Sequence, residues 1–212
     1  MTSSTTGTGP ERESGPGAGG QEDDSAAGAG IPTAAPALCD ITDPLFAAVA
    51  RRQREAPLRV PVGVIGPRQA TSAQVEAARS VGRGLAEMGL AVICGGRGGV
   101  MEGACRGAKE GGGTSIAVLP DTDPAEANPH ATLVLATGIG EARNAVIARA
   151  ALCLVAIGDN FGTLSEVALG RNFGKTVVGL EGAARVDGVV HVATPAEALR
   201  EVARCALGAR QR

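Results

Sequence analysis

Thr163, Glu166 and Arg143 are the residues whose types and spacing bear most directly on chemistry. Residues 157–170 read IGDNFGTLSEVALG, with Thr163 and Glu166 three apart at the expected start of a helix. That is the spacing of a capping box, in which Thr accepts from the third helical amide and Glu reaches back to the cap amide. The same stretch follows a glycine-rich loop, and a phosphate can sit on the exposed amides of a helix N-terminus. Glu166 therefore reads either as a structural cap or as a carboxylate over a bound ligand. The chain contains two controls. Thr194-Pro195-Ala196-Glu197 and Thr71-Ser72-Ala73-Gln74 repeat the pattern ahead of ordinary amphipathic helices, with no glycine loop before them. Only Gly158-Asp159-Asn160-Phe161-Gly162 sets the third case apart.

A second glycine loop, Gly95-Gly96-Arg97-Gly98-Gly99, follows an apolar strand and opens a helix. It is neither G-x-G-x-x-G nor a Walker loop, and glycine is also the default residue of a plain tight turn. Arg97 inside it can fork onto phosphate or carboxylate oxygens. Arg68, in Gly66-Pro67-Arg68-Gln69, and Arg143, beyond Thr137-Gly138-Ile139-Gly140, lie at or just past equivalent loop ends. Two glycine loops and three arginines converging on one edge point to an anionic ligand. The only lysines, Lys109 and Lys175, fall away from that edge, so a Schiff-base lysine and pyridoxal phosphate chemistry are not expected. With His130 and His191 the only histidines, no metal site is expected either.

Composition narrows the setting. Residues 1–40 are Gly, Ser, Thr, Pro, Ala and acid, and six acidic residues stand there against Arg12, a net charge of −5. Such a segment cannot bury enough surface to offset its ordering entropy, so it is expected to be a disordered tail. The whole chain carries −2, leaving +3 on residues 41–212. That mild balance suits a small anion and falls short of a nucleic-acid footprint. With no Trp or Tyr and only Phe46, Phe161 and Phe173, stacking platforms for single strands are also lacking. The N-terminus has no basic-then-apolar signal, and the longest apolar run, 150–157, is too short for a bilayer. Five scattered cysteines without a C-x-x-C pair suit reduced thiols in a cytoplasm.

The elements that position these residues follow from periodicity. Apolar runs at 59–66, 90–95, 114–120, 132–136, 151–157 and 176–180 predict six strands. Helical patterns fall at 44–54, 72–88, 99–110, 141–149, 163–173 and 194–206. Short apolar strands alternating with helices indicate βαβ units, hence a single Rossmann-like domain over 41–212, a doubly wound parallel sheet with helices on both faces. In such sheets ligands bind beyond the carboxyl ends of the strands, at a switch in strand order. That rule selects the loops at 66–69, 95–99, 137–140 and 158–162.

CGGRGGVMEGACRGAKEGGGTSIAVLP resembles the second-strand segment of the LOG proteins, long mislabelled lysine decarboxylases. GDNFGTLSE resembles their P-G-G-x-G-T-x-x-E signature, with Gly158, Gly162, Thr163 and Glu166 on the matching positions. EARN at 141–144 resembles the start of their E-R-K helix, and the likeness spans about residues 60 to 180. In family members that hydrolyse cytokinin-type nucleoside 5′-monophosphates the resemblance implies Arg143 and Glu166 as the catalytic pair, releasing free base and ribose 5-phosphate. The loop amides would hold the 5′-phosphate. Ile157, Asp159, Ser165 and Asn144 depart from the hydrolase pattern. GTLSE together with the Arg143-Asn144 pair is more similar to a sister branch, the molybdenum cofactor carrier-like proteins. That branch implies binding of a phosphorylated pterin, with the molybdenum cofactor or a nucleotide as ligand and no further cofactor required. The resemblance also implies a homodimer or homotetramer, with neither nucleic acid nor membrane as partner.

Overall fold

Among the described residues seven strands, all parallel, make one sheet in the order β4-β3-β2-β1-β5-β6-β7. They are β1 (Val62–Ile65), β2 (Val92–Cys94), β3 (Ser115–Leu119), β4 (Leu133–Ala136), β5 (Leu154–Ile157), β6 (Val177–Leu180) and β7 (Val189–His191). The structure, a computed structural model, describes residues 43–209. The tail expected over residues 1–40 lies outside them. Among the described residues six α-helices connect and cover the strands: α1 (Pro44–Glu55), α2 (Ser72–Glu87), α3 (Val100–Glu110), α4 (Arg143–Ala150), α5 (Phe161–Asn172) and α6 (Pro195–Gly208). The doubly wound α/β architecture is as expected, and β7 is the element that periodicity misses. It is a three-residue, half-exposed edge strand between a turn and a helix cap, too short to display alternation.

The strands divide their side chains between two apolar layers. Val62 and Val64 of β1 and Val155 and Ile157 of β5 join residues of α1, α2, α3 and α6 in one cluster. Ile65, Leu154 and Ala156 join Ile147 and Ala148 of α4 and Val167 of α5 in the other. Cys94 and Cys153 are buried within this interior, and Cys94, Cys105, Cys153 and Cys205 are free thiols. Among the described residues no helix is long and apolar enough to cross a membrane.

With almost no aromatic side chains, α2 and α3 meet backbone to backbone. A Cβ on Gly82 would stand 2.2 Å from the Ala104 carbonyl oxygen, one on Gly103 2.6 Å from that of Val75, and one on Gly107 1.9 Å from that of Arg79. This close crossing fixes where α3 begins, and so where the loop after β2 must run. Two of the helix starts follow the sequence reading. Thr71 accepts from the Gln74 amide while Gln74 accepts from the Thr71 amide, a complete capping box. Thr194 caps α6 by accepting from the Glu197 amide, and the Glu197 carboxylate takes the Ala193 amide, one residue further out.

Candidate functional site

The switch in strand order falls between β1 and β5, and a cavity of about 570 Å³ opens there. It is lined from β1's exit by Gly66 and Arg68, from α3 by Met101, from the start of α4 by Glu141, Arg143 and Asn144, and from α5 by Phe161, Gly162, Thr163, Ser165 and Glu166. Arg97 and Pro120 close the remaining side.

The start of α5 corrects the capping-box expectation. The helix begins at Phe161, two residues earlier than the Thr163 pattern predicts, and Asn160 is its cap. Asn160 is extended, and its Oδ1 accepts from the Thr163 amide at 2.7 Å. Asparagine is among the strongest N-cap residues, so once it is in place Thr163 falls inside the first turn. Glu166 then sits a further turn along the helix and caps nothing. The amide of Leu164 is taken by the Asn160 carbonyl. What remains without a partner at the first turn are the amides of Phe161 and Gly162, two residues that line the cavity. The Phe161 ring beside them is almost wholly exposed.

The glycine loops also differ from expectation. Gly95, Gly96, Gly98, Gly99 and Gly158 do not line the cavity. Gly95 makes room for Arg143, since a Cβ there would lie 1.9 Å from Nη1. Gly96 (φ 74°) lies against Ala117 and Leu119, and Gly99 (φ 67°) against the backbone of Pro67 and Arg68. Gly158 (φ 70°) lies under the Gln74 carboxamide. At Gly95, Gly96, Gly99 and Gly158 close approach or backbone conformation already requires glycine, whatever the loop amides bind. Gly66, which does line the cavity, is equally tight, with the Ile157 carbonyl oxygen 2.4 Å from a Cβ placed on it.

The three arginines are not equivalent. Arg97 is paired with both Asp121 and Glu126, so its charge is largely spent within the protein. Arg68 is exposed at the rim and has no partner among the described hydrogen bonds and ion pairs. Arg143 is buried, donates from Nη1 to the Val118 carbonyl at 3.0 Å, and holds Nη2 3.9 Å from the Glu141 carboxylate. Its Nε is buried without a partner.

Glu166 is only 7% exposed and has no hydrogen-bond partner among the described residues. Burial pushes its carboxyl up to about 8, with Arg143 opposing and Glu141 adding to the rise. Beside it, Asn144 donates from Nδ2 to Ser165 Oγ at 2.9 Å, and Ser165 spends its own proton on the Gly162 carbonyl at 2.7 Å. That chain fixes the amide's orientation: Asn144 presents Oδ1, which is buried and unpartnered, as is Thr163 Oγ1.

A pH dependence follows. Below about pH 4.5 the Glu166 carboxyl is protonated in both the folded and the unfolded chain. Between about 4.5 and 8 the unfolded chain releases this proton and the folded chain keeps it, so the contribution to stability falls as pH rises and levels off above 8. The slope is at most about 1.4 kcal/mol per pH unit. Thermal denaturation from pH 5 to 8 is expected to show Glu166→Gln gaining progressively on the native chain. A variant that stays parallel to the native chain across that range would contradict this account.

Strand order, with its switch between β1 and β5, and helices on both faces of one parallel sheet define a doubly wound α/β protein. The chain belongs to the SLOG cluster4 family, which it matches over residues 59–205. It is 37% identical over 138 residues to an uncharacterized protein of Archaeoglobus fulgidus, across 65% of this chain and 91% of that one. Among solved structures it is similar to the molybdenum cofactor binding protein of the phototrophic bacterium Rippkaea orientalis, with 31% identity and a TM-score of 0.65 over 68% of this chain and 96% of that one. It is also similar to the molybdenum cofactor carrier protein of Chlamydomonas reinhardtii, with 33% identity and a TM-score of 0.63 over 69% and 98% of the two chains.

Proposed function

We propose that this protein binds and carries a phosphorylated, pterin-like or nucleotide-like small molecule in the cavity between β1 and β5. One observation carries the reading. Arg143 Nε, Asn144 Oδ1 and Thr163 Oγ1 are buried without partners at one cavity, and the Glu166 carboxyl faces the same space. Buried polar groups are nearly always hydrogen-bonded, and three orphans at one place fit a site whose partner is a ligand. A volume of about 570 Å³ is of nucleotide size. Arg68 and the amides of Phe161 and Gly162 suit the phosphate, at a helix N-terminus of favourable polarity. The names of the bacterial and algal neighbours support the molybdenum cofactor as the cargo. Calorimetric titration with phosphorylated pterins and nucleoside 5′-monophosphates, each beside its dephosphorylated form, tests the proposal. Saturable binding that weakens at least tenfold without the phosphate is expected, and no saturation with any of them would overturn it.

A second reading has its own support. A carboxyl that stays protonated at neutral pH beside an arginine can donate a proton to a departing base, so Arg143 and Glu166 also suit a nucleoside 5′-monophosphate phosphoribohydrolase. Chromatography of incubations with such monophosphates, including prenylated AMP, decides between them. Free base that disappears in Glu166→Gln would establish the hydrolase, and no free base would leave the carrier.

The homo-oligomer expected from the resemblance would cover an exposed apolar surface. Strand register places Leu133 and Leu135 on the α4 side of the sheet, and both are exposed, as are Ile139 and Val146. Leu135→Glu is expected to lower the mass seen by light scattering, and an unchanged mass would place the contact elsewhere.

A further inference from the structure

The buried end of the cavity sets acceptors beside its donors, where a phosphate site would present donors alone. Asn144 is held by Ser165 so that its carbonyl oxygen faces inward, as the proton count along Asn144, Ser165 and Gly162 requires. Thr163 adds a hydroxyl, and Glu166 adds two carboxyl oxygens. The unspent donors are Arg143 Nε and Nη2, the latter with the Glu141 carboxylate no nearer than 3.9 Å. A phosphate offers only acceptors and negative charge, so it matches the exposed Arg68 and the free α5 amides and mismatches the Asn144 oxygen and the Glu166 carboxyl of the interior.

We infer that the buried end recognises the aminopyrimidinone edge of a flat heterocycle, with Glu166 accepting its two adjacent N–H groups and Arg143 donating to its neighbouring carbonyl. This rests on the binding reading above and specifies its ligand class. Two adjacent N–H donors match a carboxylate as a two-pronged pair, and a carbonyl next to them suits a guanidinium. Pterins and guanine share this edge. Adenine lacks it, and lumazine and xanthine replace the amino group by a carbonyl.

The pairing has a proton signature. In the free protein Glu166 is flanked by Arg143 from α4, by Glu141 from the turn before it, and by Cys94 at the end of β2, while Arg68 and Arg97 line the same cavity. Burial keeps its carboxyl protonated at pH 7. To accept two N–H groups it must ionise, so the proton passes to solvent and binding tightens as pH rises toward 8.

The test uses calorimetry of the full chain with the phosphomonoester of 6-hydroxymethylpterin, its lumazine counterpart, GMP, XMP and AMP, in buffers of different ionisation enthalpy. Release of about one proton at pH 7 is expected with the pterin or GMP. At least a tenfold weaker affinity is expected for the lumazine, XMP and AMP. Glu166→Gln, which should fold at least as stably, is expected to lose both the proton release and the preference. Tighter pterin than GMP binding would assign the edge to a pterin, and the reverse to a guanine nucleotide. Equal binding of amino and carbonyl forms, or tight binding without proton release, would overturn this inference and leave the carrier reading standing. No binding by any of the five would remove both.

Discussion

Arg143→Ala is expected to weaken ligand binding by about 100-fold while leaving the fold intact. The guanidinium is held from above and below: Nη1 donates to the Val118 carbonyl of β3, and its place exists only because residue 95 has no side chain. Nε is then left buried in the wall of the cavity with nothing to donate to. A hydrogen bond to a charged group is worth about 1.5–3 kcal/mol, and its loss together with the charge opposite the ligand gives the two decades. Stability should fall less, by about 1–2 kcal/mol, because a single backbone carbonyl loses its donor. Arg149→Ala is the control. That residue lies on the same helix with its guanidinium 3.8 Å over the Phe173 ring, outside the cavity, and its removal should leave affinity unchanged. A parallel loss in both variants would mean that α4 as a whole, and not the buried arginine, supports binding.

Gly107→Val is expected to produce the largest loss of stability. A Cβ there would lie 1.9 Å from the Arg79 carbonyl oxygen and 2.7 Å from its carbon, which are backbone atoms of α2 and cannot swing aside. The two helices must separate, and Ala78, Val81, Ala104 and Ala108 lose their packing in the larger apolar cluster. Overpacking of this kind costs about 3 kcal/mol or more. For a domain of this size the melting temperature should fall by roughly 6–12 °C. Gly208→Ala meets nothing within 4 Å and should leave the melting temperature within a degree or two. Equal stability of the Val variant and the native chain would contradict the backbone-to-backbone crossing.

The order of elements was legible because the buried strands are short apolar runs and the helices between them carry local start signals. Thr71 and Thr194 cap where their spacing predicts, since each bonds only to residues within four positions. The same local rule misplaced α5, because Asn160 and Thr163 compete as caps within one turn and the geometry of the loop after β5 decides in favour of Asn160. Glycine was legible as loop and not as cause. That Gly95 serves Arg143, 48 positions away, depends on the start of α4 reaching across the end of β3 to the loop after β2. The same holds for Arg97, whose partners Asp121 and Glu126 arrive from the exit of β3. Glu166 was marked by its place in GDNFGTLSE. Its burial, and hence its protonation, comes from α4 packing beside α5, which spacing along the chain does not express.

The central claim is that the cavity between β1 and β5 holds a phosphorylated cargo through Arg143 and its buried neighbours. The most direct measurement is gel filtration of the protein after incubation with the molybdenum cofactor, counting molybdenum retained per chain in the native protein and in Arg143→Ala. Close to one molybdenum per native chain, with little or none on the variant under the same conditions, is the predicted result. Equal retention by the two would contradict the role of Arg143, and retention by neither would contradict the molybdenum cofactor as the cargo.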